Sequence, residues 1–173
     1  MVDATGERRR GRQLPTAEEL RIWRDFVETT EVLTSRVGSR LQVDSSLSPG
    51  DYAVLLALTE APERRMRSSA LAAHIGWERS RLSHHLGRME RRGLIRREER
   101  RTVPRGAEVL LTPTGAEAFQ RATYPHLRTI RELFVDALTP DQLRAAGDIA
   151  RALRQHLGTH DDDRSAHGGR HIG

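Results

Sequence analysis

Residues 68–112 read SSALAAHIGWERSRLSHHLGRMERRGLIRREERRTVPRGAEVLLT, and this stretch decides the fold of the chain. Leu71 and Ile75 lie one helical turn apart and give a first short helix an apolar face. Gly76 then permits a tight turn, because glycine adopts positive φ without steric cost. Apolar residues recur at helical spacing after the turn and predict a second helix over about residues 78–92. They are Leu82, Leu86 and Met89.

The opposite face of this second helix is rich in hydrogen-bond donors. Its members are Arg79, Ser80, Ser83, His84 and Arg88, with Arg81 pointing partly sideways. Two helices joined by a short glycine-containing turn, the second with a donor-rich exposed face, are what reading of the DNA major groove requires. We therefore predict a helix-turn-helix whose second helix is the recognition helix.

A β-hairpin is predicted directly after the recognition helix. Pro104, Arg105 and Gly106 lie near its tip, where the glycine permits the turn and the proline costs no ladder hydrogen bond. The two strands are expected over residues 94–100 and 107–112. Arg105 would then lie on an exposed projection, a "wing", beside the recognition helix.

Cap residues predict the helices on the amino-terminal side. Thr16 and Glu19 form a capping box that begins the first long helix, and Ser48, Pro49 and Asp51 begin the next. The apolar stripe of the first helix is wider than one neighbour requires. It suggests packing both against its own domain and against another subunit.

Similar signals follow the wing. Thr112 and Pro113 begin a helix expected to reach about residue 137, with Pro125 kinking or splitting it. Thr139 opens a last helix, which Gly158 is expected to end.

These elements predict a mainly α fold with a small β-wing. We expect a winged helix-turn-helix over residues 48–112 and a helical dimerisation region formed by residues 16–47 and 113–158. A basic arm over residues 1–15 and a polar tail over residues 159–173 are expected to be disordered.

Positive charge is concentrated on the predicted DNA-binding region. All 29 basic residues are arginine, and residues 64–105 contain 13 of them against four acidic residues. The rest of the chain carries more acidic than basic residues. This distribution is typical of a surface that binds a polyanion.

Other classes of protein are disfavoured by what the sequence lacks. Cysteine is absent, which excludes disulfides and thiolate chemistry. No apolar run reaches the roughly 18 residues that span a bilayer, so we expect a soluble, cytoplasmic protein. No phosphate loop, nucleophile elbow or paired-carboxylate constellation occurs, so neither an enzyme nor a cofactor is predicted.

Eight histidines raise the question of a metal site. His84 and His85 point about 100° apart on a helix and do not easily share an ion, and His85 is expected to be packed. His156 and His160 have i, i+4 spacing near a cluster of aspartates in the tail. Adventitious binding is the favoured interpretation there, and no metal site is predicted.

The order of these residues resembles the MarR family of winged-helix transcriptional regulators. The similarity extends over about residues 17–157, and its strongest segments are ERSRLSHHLGRMERRGLI, RGAEVLLTPTG and LSPGDYAVLLAL. The resemblance implies a homodimer that binds a pseudo-palindromic operator in double-stranded DNA, most often as a repressor.

The resemblance also suggests roles for single residues. Ser83 and His84 match positions that approach bases, and Arg105 matches a wing arginine that enters the minor groove. Arg79, Ser80 and Arg88 match positions that contact phosphate or base, and Arg81 is a weaker candidate. Val103 replaces the aspartate that usually braces the wing tip, which puts the ordering of the tip in question.

A small-molecule effector, often an aromatic acid or phenol, is implied between the dimer helices and the winged helix. Trp23, Phe26 and Tyr52 are candidates to line this cleft, although an ordinary core position is the favoured interpretation of each. Two alternatives remain open. One is a metal-responsive regulator of the same fold that uses its histidines, and the other is a winged helix that mediates protein–protein assembly.

Overall fold

The computed structural model describes residues 14–99 and 107–167 and is mainly helical with one small sheet. The α-helices are α1 (Ala17–Ser45), α2 (Pro49–Glu60), α3 (Ser68–His74), α4 (Arg79–Arg91), α5 (Pro113–Ile130) and α6 (Pro140–His167). The strands are β1 (Arg65–Arg67), β2 (Ile95–Glu99) and β3 (Ala107–Leu111). This order is that of a winged helix-turn-helix between flanking helices, so the predicted fold class is confirmed.

The first two helices begin at the predicted capping boxes. The backbone N–H of Glu19 donates to Thr16 Oγ1 at 3.2 Å, and the N–H of Thr16 donates to the Glu19 carboxylate at 2.7 Å. Ser48 and Asp51 repeat the arrangement at the start of α2, at 3.1 and 2.9 Å. Each box satisfies backbone donors that a helix start leaves without partners.

The sheet is antiparallel with the strand order β1-β3-β2. Val109, on the central strand, pairs with Met66 of β1 and with Arg97 of β2. Strand β2 begins one residue later and β3 ends one residue earlier than predicted, a difference within the usual variation of strand ends. The predicted tip, with Pro104, Arg105 and Gly106, lies outside the described residues.

The core joins the helix-turn-helix to the sheet. Its fully buried large side chains come from α2, α3, α4, β2 and β3, together with Leu47 in the turn between α1 and α2. They are Leu47, Val54, Leu55, Leu58, Leu71, Leu82, Leu86, Met89, Ile95 and Val109. Burying each such side chain stabilises the fold by about 1.5–3 kcal/mol, and together they fix α4 against its own domain.

The start of α5 is locked onto the start of the wing. The Thr112 hydroxyl approaches the carbonyl oxygens of Gly93 and Leu94 at 2.7 and 2.9 Å, and it accepts from the Gly115 N–H at 2.9 Å. A Cβ on Gly115 would come within 2.0 Å of the Leu94 carbonyl oxygen. Only glycine permits this close approach, which joins the winged domain rigidly to α5.

Two predictions about the carboxy-terminal helices need correction. Helix α5 stays continuous through Pro125 and passes into a π-helical segment (Arg131–Val135), so of the two alternatives predicted at the proline, a kink or a split, the split does not occur. Helix α6 continues through Gly158 to His167, so the predicted end at Gly158 is wrong. One glycine costs a helix about 1 kcal/mol, which is too little to end it. Residues 159–167 are therefore helical instead of disordered, and residues 168–173 lie outside the described residues.

Large apolar side chains on α1 and α6 remain uncovered, and we call this set the open apolar face. Each member is at least 45 % exposed. They are Leu20, Ile22, Trp23, Phe26, Val32 and Val43 of α1, and Ile149, Leu153 and Leu157 of α6. The core interpretation of Trp23 and Phe26 is therefore wrong for the single chain, because about half or more of each side chain remains exposed in its described structure.

None of the helices within residues 14–99 and 107–167 combines the length and the apolar content needed to cross a lipid bilayer.

Candidate nucleic-acid interface

Helix α4 presents one buried face and one exposed, polar face. The buried face consists of Leu82, His85, Leu86 and Met89. The six predicted site residues of this helix, Arg79, Ser80, Arg81, Ser83, His84 and Arg88, are all exposed. The seventh, Arg105, lies outside the described residues. The helix is thus held by its apolar side while its donors face solvent, as direct contact with DNA requires.

A cavity of about 430 Å³ with a mixed polar and apolar lining lies beside the amino-terminal half of α4. Arg79 and Ser83 line it from α4, Ser68 and Ser69 from the start of α3, and Arg97 from β2. The last three residues were not among the predicted site residues. The sequence indicated Arg97 only as part of the positive charge of residues 64–105. Its position beside α4 could not be predicted, because it depends on the packing of β2.

The recognition helix is tied to the wing by Glu90 and Arg97. The Arg97 backbone N–H donates to Glu90 Oε1 at 2.9 Å, and Arg97 Nε donates to Oε2 at 2.7 Å. These hydrogen bonds lower the pKa of Glu90. The bidentate contact sets the position of β2 relative to α4, and it leaves Arg97 less free to turn toward another partner.

Arg81 also has a partner within the fold. Its guanidinium lies 4.2 Å from the centroid of the Trp77 ring, a cation–π contact. The Trp77 ring in turn meets the His85 ring edge-on, with centroids 5.2 Å apart. Arg81 is therefore held toward the turn between α3 and α4, which agrees with its predicted sideways direction.

One carboxylate is buried beneath the recognition helix. Asp51 is 2 % exposed, and its Oδ2 accepts from Arg92 Nη1 at 2.7 Å and from the Ser48 backbone N–H at 2.9 Å. His85 Nε2 lies 3.1 Å from Oδ1, an electrostatic contact rather than a well-aligned hydrogen bond. Burial alone would raise the pKa of Asp51, but the contacts with His85, Arg92 and Ser48 hold it well below its usual range.

His85 is packed, as predicted, and both of its ring nitrogens face partners. It is 7 % exposed, with Nε2 toward Asp51 and Nδ1 at 2.8 Å from Arg88 Nη2. Within the described residues no group of three or more side chains is arranged to hold a metal ion. The cluster of the tail, from His160 onward, lies outside the described side chains.

The three candidate effector residues line two different cavities. Trp23 and Phe26 lie in an open groove of about 960 Å³ along α1. Tyr52 lines a smaller cavity of about 340 Å³ between α1, α2 and α5, together with His126 and Phe134. The sequence suggested one cleft for all three, but α1 separates the groove from the smaller cavity.

Aromatic rings and one unpartnered nitrogen characterise the smaller cavity. The Tyr52 ring lies 4.4 Å from that of His126 and 5.1 Å from that of Phe119, measured between centroids. His126 Nδ1 is buried and has no hydrogen-bond partner among the described residues. Burial lowers the pKa of His126, which favours its neutral form. A neutral ring nitrogen can accept one hydrogen bond from a ligand.

Replacing Asp51 with asparagine is expected to lower the free energy of unfolding by about 2–4 kcal/mol at neutral pH, because Arg92 and His85 lose the buried carboxylate. The folded pKa of Asp51 lies below its unfolded value. Its stabilisation is therefore present above about pH 4 and is lost as the pH falls further.

Urea denaturation at a series of pH values measures this effect. The wild-type and D51N curves should converge below about pH 4, whereas D148N, at an exposed aspartate of α6, should follow the wild type throughout. Parallel curves for wild type and D51N in acid would contradict the assignment.

Comparisons with known proteins agree with this geometry. A sequence model of the MarR family matches residues 45–105. The structure of Sco3205, a MarR family transcriptional regulator from Streptomyces coelicolor in complex with DNA, is 34 % identical with a TM-score of 0.80. The match covers 86 % of this chain and 93 % of that one. No curated protein matches the sequence.

Two further structures extend the comparison. AbsC, a MarR family transcriptional regulator from Streptomyces coelicolor, is 32 % identical with a TM-score of 0.78, over 86 % of this chain and 99 % of that one. The organohalide-sensing regulator RdhR-CbdbA1625, bound to 2,4-dichlorophenol, shares the fold at 19 % identity with a TM-score of 0.72, over 83 % and 86 % of the two chains. Identity above 30 % over nearly the full length of two family members establishes the relationship. The chain belongs to the MarR family of winged-helix, DNA-binding transcriptional regulators, which are not enzymes.

Proposed function

We propose that the protein is a homodimeric repressor that binds a pseudo-palindromic operator through α4 and releases it when a small aromatic ligand binds. The observation that carries this proposal is the exposed donor face of α4, held rigidly by a buried apolar face. Sco3205, a relative at 34 % identity, has been solved in complex with DNA.

The donors of α4 divide into two roles. Ser83 and His84 lie near the middle of the exposed face and are assigned to base edges in the major groove. Arg79, Ser80 and Arg88 are assigned to phosphate or base. Arg81 contributes less, because its contact with the Trp77 ring holds its guanidinium sideways, toward the turn between α3 and α4. Arg105 of the wing is assigned to the minor groove, where narrow A·T-rich tracts concentrate negative potential.

The open apolar face supports the homodimer. Its nine side chains extend along α1 and α6, the first and last helices of the chain. Large apolar side chains left exposed in such number mark an interaction site. A two-fold axis through these helices would present two copies of α4 to successive major grooves, about 34 Å or roughly 10 base pairs apart.

Selection of duplexes from a random-sequence pool by the purified protein is expected to enrich a pseudo-palindrome. On that duplex, S83A should cost about 1–3 kcal/mol and relax the preference at one base pair of each half-site. R79A should instead weaken all duplexes alike and reduce the slope of log K against log salt by about one. Fluorescence anisotropy over a range of salt concentrations measures both effects.

The matched control is R121A, which removes an exposed arginine of α5 that is paired with Glu117 at 3.6 Å. It lowers the net charge by the same amount and should leave the salt slope unchanged. A winged helix used for protein–protein assembly would show no salt-dependent binding to the duplex, and that result would refute the proposal.

The double variant I149E/L153E is expected to shift the purified protein from dimer to monomer. Both side chains are about half exposed in the single chain, so charges there disturb the fold of one protomer little but oppose burial against a second. Sedimentation velocity measures the oligomeric state, and circular dichroism checks that the helix content is unchanged. A wild-type protein that sediments as a monomer at micromolar concentration would count against the dimer.

The smaller cavity supports an effector of the phenol class. Its volume of about 340 Å³ falls within the range of small-molecule sites, and its aromatic rings suit a planar ligand. His126 lines the cavity, and its Nδ1, which is covered and has no hydrogen-bond partner among the described residues, could accept from a phenolic hydroxyl if the ligand displaces the ring. RdhR-CbdbA1625, a protein of the same fold, has been solved with 2,4-dichlorophenol.

Titration calorimetry with 2,4-dichlorophenol is expected to show binding that H126F weakens about tenfold, because phenylalanine keeps the ring but removes the acceptor. H74F, at an exposed histidine of α3, is the control and should bind as the wild type does. The ligand should also lower the protein's affinity for the selected duplex. By thermodynamic reciprocity, the duplex should lower the protein's affinity for the ligand by the same factor. Equal binding by H126F and wild type would remove His126 from the site.

A further inference from the structure

We propose that Asp51 and His85 form a relay that positions the Arg88 guanidinium on the recognition helix, and this inference rests on the proposed DNA-binding function. The relay runs from the first turn of α2 to the exposed surface of α4. Asp51 and His85 do not touch DNA in this scheme. They act through Arg88 and are positioning residues.

The contacts determine the direction in which the relay works. Arg88 Nη2 lies 2.8 Å from His85 Nδ1, and an arginine can only donate. His85 Nδ1 must therefore accept, which places the ring proton on Nε2. That nitrogen faces Asp51 Oδ1 at 3.1 Å. The carboxylate thus favours the one neutral tautomer of His85 that can hold Arg88.

The His85 ring is fixed in this orientation by its neighbours. The Trp77 ring meets it edge-on. A Cβ added to Gly50 would come within 2.6 Å of the Trp77 ring and 2.9 Å of His85 Cε1, so α2 already lies in tight contact with both rings. The ring has little room to flip, so Nδ1 stays toward Arg88 and Nε2 stays toward the Asp51 carboxylate.

Asp51 is fixed as well. It closes the capping box with Ser48 and accepts from Arg92, whose Nη2 also donates to the Ser46 carbonyl oxygen at 2.8 Å. Every member of the relay except Arg88 is therefore buried or held by the backbone. The arrangement ends in a single exposed guanidinium of defined position.

A guanidinium held in advance binds better than a free one. An arginine side chain has many rotamers in solution, and ordering it on DNA subtracts from affinity. A fixed position also limits which DNA atoms Arg88 can reach, and this increases the selectivity of its contact. Loss of the relay should therefore reduce both the affinity and the selectivity that depend on Arg88.

Two substitutions at His85 separate the two halves of the relay. Asparagine places a side-chain oxygen near the position of Nδ1, so H85N keeps an acceptor for Arg88. Glutamine places its amide near the position of Nε2, so H85Q keeps the contact with Asp51 but offers Arg88 no acceptor. On the duplex selected by the wild type, H85Q is expected to bind about tenfold more weakly, as R88A does. H85N should stay within about threefold of the wild type.

A double-mutant cycle distinguishes positioning from a general structural role. If His85 acts through Arg88, H85Q should cause no further loss in an R88A background. If His85 only stabilises the domain, H85Q should weaken binding by the same factor in both backgrounds, and the relay would be overturned. Equal losses for H85N and H85Q, or an R88A variant that binds as tightly as the wild type, would also overturn it.

Urea denaturation first establishes that each variant is folded at the assay temperature. Should H85Q be unfolded, H85F in the same cycle provides the test, because phenylalanine keeps a ring at this position but offers Arg88 no acceptor. It should weaken binding in the wild-type background and not in R88A. A wild-type protein without salt-dependent duplex binding would refute the proposed function itself. If instead the wild type binds the duplex and the losses in the cycle are additive, only the relay is refuted and the proposed function stands.

Discussion

The burial of one carboxylate constrains the arrangement of the DNA-binding region. Asp51 lies beneath the recognition helix at 2 % exposure, where an unpaired charge would be strongly destabilising. Arg92 compensates it from the end of α4, and the Ser48 backbone compensates it from the start of α2. A shift or rotation of α4 against α2 would separate these charges. The apolar core sets how tightly the two helices pack, whereas Asp51 sets their register.

The sequence was sufficient for features that depend on neighbouring residues. Capping boxes at Thr16 and Ser48 and the buried stripe of α4 follow from spacings of three or four residues, and each appears in the structure. The contact of Asp51 with Arg92 could not be predicted from the sequence, because the two residues are 41 positions apart and no periodicity relates them. Gly158 was misjudged for the opposite reason: a local signal for ending α6 was present, but its cost is too small to act alone.

Exposure of single residues was the least predictable property. Trp23 looked like core because its stripe is strongly apolar, yet it is 64 % exposed. Its helix packs on α5 along another side, and the stripe faces away from the described remainder of the chain. An apolar stripe predicts that something covers it and does not say whether this is the same chain. The exposure of the donor face of α4 could be predicted without this ambiguity. Polar side chains are satisfied by water in the free protein, so they need no protein surface to cover them.

The first turn of α2 lies between the smaller cavity and the recognition helix. Pro49 and Tyr52 line the smaller cavity, while Gly50 packs against the Trp77 and His85 rings and Asp51 faces His85. These four residues are consecutive in a helix, so a ligand that displaces Tyr52 also displaces the carboxylate beside it. An effector influences DNA affinity only through contacts that differ between two arrangements. The first turn of α2 has such contacts with both the cavity and α4. Because Gly50 already lies against the Trp77 and His85 rings, a displacement of this turn would be transmitted directly to α4.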